Sequence, residues 1–372
     1  MKVLITGGAG FIGSHIADLL LVSGYHVRIL DNLQKPTHLT GKPNYLPEDV
    51  EFIEGEVTDE STMKQALKGV HVVFHQAAHQ GLLPDFGAFF HVNSVGTARI
   101  FELIVKQGYP VEKVIVASSQ AVYGEGKYWC QNCTEALYPA PRTLDQLKCQ
   151  DWTIKCPTCQ GEARSLATDE THVNPSTPYA MSKYTQEMIA LNLGRQYSIP
   201  TVALRYSITQ GPRQSFFNAY SGILRIFCTR LMTKGPPILY EDGQMKRDYV
   251  HVEDVARANL LVMEREEANY QVYNVGSGVP TTQRQFASAL ARKIGVEIAP
   301  VIPGEFRLGD VRHIVSDVSR LVALGWRPRK NLDHILTDYL SWIQTQRLVK
   351  DYFIEAEQIM KATGAIRSIR ED

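Results

Sequence analysis

The chain has 372 residues, with Lys+Arg and Asp+Glu each totalling 39, so its formal net charge is zero; 44% of it is hydrophobic and 21% charged. That balance is ordinary for a globular protein and the length suffices for one large α/β unit or two fused subdomains. It gives no electrostatic reason to invoke nucleic acid or an anionic membrane, and no stretch approaches the ~20 apolar residues that span a bilayer.

The chain opens on a strand-like run, residues 3–6 (VLIT), with no apolar leader before it. The expected compartment is therefore the cytoplasm, where cysteines stay reduced. Gly7, Gly10 and Gly13 follow as GxxGxxG. A helical pattern then runs from His15 to Ser23 and closes at Gly24, and a second strand, residues 26–30, ends at Asp31. Strand, glycine turn, helix, strand and acid make one βαβ unit. Further buried-strand candidates are residues 50–53, 70–75, 114–117 and 202–206, with helical segments such as 61–67 and 93–107 between them. This alternation predicts an α/β fold of Rossmann type, a doubly wound parallel sheet over residues 1–209.

Residues 125–165 break the alternation as a polar insert that carries two CxxC pairs. From residue 210 to about 345 the mixed short elements predict a smaller C-terminal substrate subdomain. It includes the turn at Tyr273–Gly278 and a helix over 282–294, and a helical, charged tail over 346–372 ends in Glu371-Asp372.

The glycines permit a tight turn, close approach of the backbone to a pyrophosphate, and close helix–strand packing. The helix N-terminus then favours the anion. Asp31 stands 18 residues after Gly13, followed by Asn32, Leu33 and Gln34 rather than a cation. A carboxylate there accepts from a ribose 2′-hydroxyl and repels a 2′-phosphate, so NAD is favoured over NADP.

Tyr179 and Lys183 are four apart, on one face if helical, with Pro175 and Pro178 just upstream where a helix can begin. A phenol is a poor base at neutral pH, and an ammonium one turn away favours the phenolate. Ser119, at the end of an apolar strand, can hydrogen-bond a substrate oxygen and steady a developing carbonyl. Cys130-x-x-Cys133 and Cys156-x-x-Cys159 lie 22 residues apart. Four thiolates from two such knuckles suit a closed, structural zinc site. Lying between Ser119 and Tyr179, this zinc ribbon is placed to tie down a lid near the substrate entrance. Cys149 and Cys228 read as bystanders.

Taken together, these residues resemble the extended short-chain dehydrogenase/reductase family of NAD-dependent nucleotide-sugar epimerases and dehydratases. The likeness rests on TGGAGFIGSH at the start, VVFHQAA at 72–78, Asn93 to Thr97, the Ser119 segment and YxxxK. Later come RDYVHVEDV at 247–255, YNVGSG at 273–278 and RLGD at 307–310. It implies that Phe11, Ile12, Asn32, Glu56, Val57, Gln76, Ala77 and Asn93 join the glycines, Asp31, Tyr179 and Lys183 at the cofactor. It also implies that Tyr179 takes a proton from a sugar hydroxyl, usually at C4, as hydride passes to NAD. Ser119 then bonds the same oxygen, Lys183 tunes the tyrosine, and Arg247 and Arg307 hold the nucleotide diphosphate.

Dehydratases of the family carry Asp-Glu just after the catalytic hydroxyl and decarboxylases a Glu. Here Gln120 and Ala121 stand there, and neither can transfer a proton. The resemblance therefore points to a 4-epimerase with a transient 4-keto sugar and NAD regenerated each cycle. Where relatives read LRYFNVYGPRQ, residues 204–214 place Ile208 at the usual substrate-contacting asparagine. The stretch 215–224 and the cysteine insert look most like dTDP-L-rhamnose 4-epimerases. The expected substrate is a dTDP- or UDP-linked sugar and the expected assembly a homodimer packed through helices. The alternatives are a nucleotide-sugar dehydrogenase, dehydratase or reductase of the same family, and a non-catalytic NAD-binding scaffold.

Overall fold

Short runs rich in Val, Ile and Leu become strands buried on both faces, as a parallel sheet covered by helices requires. In the computed structural model these are β1 (Lys2–Thr6), β2 (His26–Asp31), β3 (Glu51–Glu54), β4 (Val72–His75), β5 (Lys113–Ser119), β6 (Thr201–Tyr206) and β7 (Val272–Val275). The structure describes residues 1–81, 83–220 and 222–368. Leu82, Ser221 and residues 369–372, the end of the charged tail with Glu371-Asp372, lie outside the described residues.

All seven strands pair in parallel in the order β7-β6-β5-β4-β1-β2-β3. The order turns back at β1 and β4, the switch point at which such sheets open a crevice at the carboxyl ends of their strands. Successive side chains of β1 point to opposite faces. Val3 and Ile5 pack with helix α1 (Phe11–Val22), whereas Leu4 packs with helices α2 (Glu60–Leu67), α3 (Gly96–Gln107) and α4 (Pro178–Gln196). Of the helix expected over 93–107, residues 93–95 lie in a wider π turn over Phe90–Val95 and the α-helix begins at Gly96.

Strand β7 departs from the sequence reading, which saw residues 273–278 only as a turn within the substrate subdomain. Val272, Tyr273 and Val275 instead cover the open edge of β6, and helix α5 (Val252–Glu264) packs against α1. The chain thus leaves the main lobe after residue 206 and returns to it before completing the second lobe, so no single cut near 209 separates the two. The second lobe has its own core, built from Leu224, Phe227, Phe286, Leu290, Leu336 and Tyr339 among others. Strand Ile208–Gln210 pairs with Lys246–His251 at its border with the crevice. In the tail, the helix Phe353–Ala362 leads to Ile366–Arg367, which pairs with Phe306–Arg307.

The cysteine insert is a separate three-stranded antiparallel sheet in the order Glu135–Leu137, Tyr128–Cys130, Ala163–Ser165, with a short helix at Leu144–Lys148.

Candidate active site

A cavity of about 660 Å³ opens at the carboxyl ends of the central strands and takes in the glycine turn, the Ser119 strand end and the start of α4. Gly7 holds φ +68°, and a Cβ there would lie 2.6 Å from the backbone nitrogen of Ala77. A Cβ at Gly13 would meet the Gly7 carbonyl at 2.3 Å. The turn and α1 therefore close on each other only without side chains. No side chain caps the start of α1 and its first turn carries no acid, so its N-terminal N–H groups present the positive end of the helix beside the cavity.

Asp31 accepts from the Ala9 N–H (3.0 Å) and the Leu33 N–H (2.9 Å), which fixes its carboxylate at the wall. Burial pushes its pKa upward, while His38, 3.8 Å away, and those N–H donors pull the other way. Asn32 donates to Glu56 (2.9 Å), and both line the cavity with Val57, as do Phe11, Ile12 and Gly10. Gln76 and Ala77 line it from the end of β4; the Ala77 N–H donates to the Thr6 hydroxyl (3.3 Å).

Thr177 caps α4 by accepting from the Ala180 N–H and Pro178 occupies its first turn, so the helix begins where Tyr179 must be presented. Tyr179, Lys183 and Ser119 all line the cavity. Burial raises the Tyr179 pKa, and the Ser119 hydroxyl opposes that rise. The Ser119 hydroxyl also accepts from the Ala121 N–H (3.1 Å). Lys183 is buried, donating to the Ala117 carbonyl (2.6 Å) and to Gln186 (2.8 Å), and burial lowers its pKa from 10.5 to about 7. Its side-chain nitrogen is thus anchored on β5.

Three sequence-predicted residues stand outside the cavity wall. Asn93 is fully buried behind it, its amide spent on the backbone of His79 (2.8 and 3.0 Å) and on Ser182 (2.9 Å). Arg247 donates to the carbonyls of Val311 (2.7 Å) and Arg312 (3.1 Å), and Arg307 pairs with Asp310 (2.9 Å) over the ring of Tyr240. One loop, residues 307–312, therefore carries Arg307 and receives the hydrogen bonds of Arg247. Ile208 lines the cavity.

Sequence reasoning missed two features. Behind Ser119, Ser118 donates to Glu187 (2.8 Å), which pairs with Arg205 (2.5 Å), and Arg205 also donates to Tyr123 (3.0 Å). This buried chain ties β5, β6 and α4 together where the catalytic groups sit. Secondly, Gln210 lines the cavity fully buried, and neither of its amide atoms has a hydrogen-bond partner; Oε1 of Gln120 and of Gln214 are in the same condition. Buried amides of this kind are costly unless a ligand engages them. Their signal lay in the departures at 120 and 210 from the family pattern.

In the insert, the Sγ atoms of Cys130, Cys133, Cys156 and Cys159 all lie within 4.8 Å of one another. Cys130 and Cys159 are 3.5 Å apart, and Cys133 and Cys156 3.8 Å. Zn–S bonds of ~2.3 Å in a tetrahedron give S···S edges of about 3.8 Å, so the cluster has the dimensions of such a site. Cys149 is exposed and Cys228 buried, both away from it. His251, Glu253 and Asp338 also converge, but the Lys330 ammonium sits on both carboxylates (2.9 and 2.7 Å).

The model of the NAD dependent epimerase/dehydratase family matches residues 3–144 and 156–276. A dTDP-L-rhamnose 4-epimerase of Burkholderia thailandensis is 34% identical over 349 residues, covering 92% of this chain and 94% of the relative. A UDP-glucose 4-epimerase of Mycolicibacterium smegmatis is 31% identical over 343 residues, covering 88% and 94%. Among solved structures, the UDP-glucose 4-epimerase of Thermotoga maritima with UDP-glucose superposes with a TM-score of 0.76 at 31% identity, covering 92% of this chain and 99% of that one. The UDP-glucose 4-epimerase of Thermus thermophilus in complex with NAD gives 0.71 at 30% identity, covering 93% and 99%.

Proposed function

The chain belongs to the NAD dependent epimerase/dehydratase family of enzymes, and from that premise we propose that it is a nucleotide-sugar 4-epimerase acting on a dTDP- or UDP-linked sugar. The carrying observation is that Ser119, Tyr179 and Lys183 line the same cavity as the glycine turn, with Gln120 and Ala121 in place of a proton-transferring acid. The glycine cradle, the uncapped α1 terminus and the Asp31 carboxylate suit NAD. Gly7, Gly10, Phe11, Ile12 and Gly13 would hold its pyrophosphate, Asp31 and Asn32 its adenosine ribose, Glu56 and Val57 its adenine. Gln76, Ala77 and Lys183 would line the nicotinamide end. Held there, NAD would supply a reversible hydride acceptor for the sugar's C4.

Tyr179 removes the C4 hydroxyl proton and later restores it, while Ser119 donates to the same oxygen as it becomes a carbonyl. The high pKa that burial gives the phenol makes it a strong acid–base partner only when an opposing positive charge is near. That role suits Lys183 once the cofactor and substrate fill the cavity. Arg247 and Arg307 would meet the diphosphate, a dianion suited to guanidinium forks. A structural zinc on the four cysteines would close the insert; with four thiolate ligands it keeps no open position for chemistry. A homodimer through α3 and α4 is supported by apolar side chains left about 40% exposed there, Val105, Met181 and Met188. Among the described residues no helix is long and apolar enough to cross a membrane, and a reducing cytoplasm suits the free thiols.

The test is incubation of the purified protein with a panel of UDP- and dTDP-sugars, followed by NMR at C4 and absorbance of NADH. Epimers should form with no net NADH, and Tyr179→Phe should cut turnover by about 10²- to 10⁴-fold. Steady NADH accumulation would instead indicate a dehydrogenase. Epimerisation at the wild-type rate in Tyr179→Phe would sink the mechanism.

A further inference from the structure

We propose that the cysteine-rich insert is a clamp on the nucleotide-binding loop, with Arg142 as a positioning residue that sets Arg307 and Arg247 and so governs affinity for the nucleoside diphosphate half of the substrate. This rests on the nucleotide-sugar reading above. The insert departs at Glu125, six residues beyond Ser119, and none of its strands joins the main sheet. Its firmest attachments fall on the 305–312 loop.

Arg142 has a side chain only 3% exposed and touches three segments. Its Nε faces Glu125 (3.4 Å), its Nη1 forms an ion pair with Glu241 (2.9 Å), and its Nη2 donates to the Asp310 carbonyl (2.9 Å). The other Glu125 oxygen accepts from the Arg312 N–H (2.6 Å), and Arg312 itself pairs with Glu241 (2.9 Å) and Asp242 (2.7 Å). Two buried arginines and three carboxylates thus lock the far end of the loop. At its near end Trp152, from between the two cysteine pairs, packs 6.2 Å from the fully buried ring of Phe306, the residue before Arg307.

Between these two holds lie the atoms that matter. Arg307 is aimed by Asp310 and Tyr240, and Arg247 by the carbonyls of Val311 and Arg312. Charges buried together tolerate few arrangements, because a displaced partner leaves a desolvated ion unpaired. A loop held this way presents its guanidinium groups preorganised; released, it must be ordered by the ligand at the expense of affinity. The dinucleotide cradle is built on β1 and α1, apart from this network.

The experiment uses the full chain with its bound NAD and titrates UDP and dTDP calorimetrically into wild type, Arg142→Met, Arg142→Lys and Trp152→Ala. It also measures bound NAD per chain and the kcat and KM for the active nucleotide-sugar. Arg142→Met should weaken diphosphate binding and raise KM on the order of tenfold, with kcat within about twofold and NAD content unchanged; Arg142→Lys should recover part of the loss. Trp152→Ala leaves the buried charges in place, so it reports even if Arg142→Met fails to fold, and it should raise Kd several-fold. Wild-type affinity in the folded variants overturns the clamp and leaves the nucleotide-sugar reading standing. Parallel loss of NAD and diphosphate binding means general loosening and also overturns it. A wild-type chain that binds NAD but neither diphosphate overturns both readings.

Discussion

Replacing Lys183 by methionine should make the ligand-free protein more stable at pH 6 and lose that advantage as the pH rises, even though it abolishes turnover. Burial lowers the Lys183 pKa from 10.5 to about 7. Between those values the unfolded chain holds a proton that the folded chain does not, so wild-type stability climbs with pH through that window. The penalty is complete below pH 7 and absent above 10.5. At about 1.4 kcal/mol per pH unit its ceiling is about 5 kcal/mol. Two short hydrogen bonds, to the Ala117 carbonyl and to Gln186, offset part of it at roughly 1–3 kcal/mol each. Methionine keeps the apolar stem, relieves the buried charge and strands those two acceptors. The balance at pH 6 is about 1–2 kcal/mol in favour of the variant, shrinking through zero by about pH 9. His75 is held neutral in the fold across this range, its pKa lowered to about 3 by burial and then by Lys183, so its own pH term is common to both proteins and cancels from their difference. Urea unfolding of NAD-stripped protein at pH 6, 7.5 and 9, followed by tryptophan fluorescence, measures it. A difference between variant and wild type that is flat with pH, or that grows in the variant's favour towards pH 9, refutes the reasoning.

Asp31→Ser should weaken NAD binding by roughly tenfold, the worth of a charged hydrogen bond, and narrow the preference over NADP by removing the repelling carboxylate. Fluorescence titration with both dinucleotides checks this, and an unchanged ratio of affinities would count against the ribose assignment. Cys133→Ser should reduce zinc from one per chain to none by elemental mass spectrometry, while bound NAD stays at the wild-type level, because the cysteines sit on a separate sheet from the glycine cradle. Zinc absent from the wild type, under metal-replete expression, would mean the four thiols are not a metal site.

Much of the main lobe was legible because its signals are local. The βαβ opening, the strands β1 to β6 and the start of α4 each announce themselves through apolar runs, a glycine turn or a prolyl cap within a few residues. The cavity-lining identity of Ser119, Tyr179, Lys183 and Asp31 followed from the same local grammar. What was not legible depends on distant partners. Residues 272–275 read as the entry to a turn because nothing nearby shows that β6 has an open edge waiting. Asn93 looked like a cofactor contact from its motif, but its amide is consumed by the backbone of His79, a contact 14 residues away that no spacing reveals. The guanidinium groups of Arg247 and Arg307 could be assigned a chemistry from their type. That both bear on one loop, which Arg142 and Glu125 of the insert also contact, emerges only once four separated segments meet.

The crossing of the chain between lobes has a consequence for how the molecule is made. The last strand of the main sheet emerges from the ribosome some 65 residues after its neighbour, with part of the second lobe's chain already threaded between them. Until α5 arrives the face of α1 that it covers is bare, and until residues 272–275 arrive β6 is an exposed edge, a state prone to pairing with other chains. The dinucleotide half therefore cannot close its sheet until part of its companion's chain has been made. Exchanging the sugar-facing half between relatives, as an engineer would wish to, means transplanting two stretches of sequence and leaving residues 252–275 where they are.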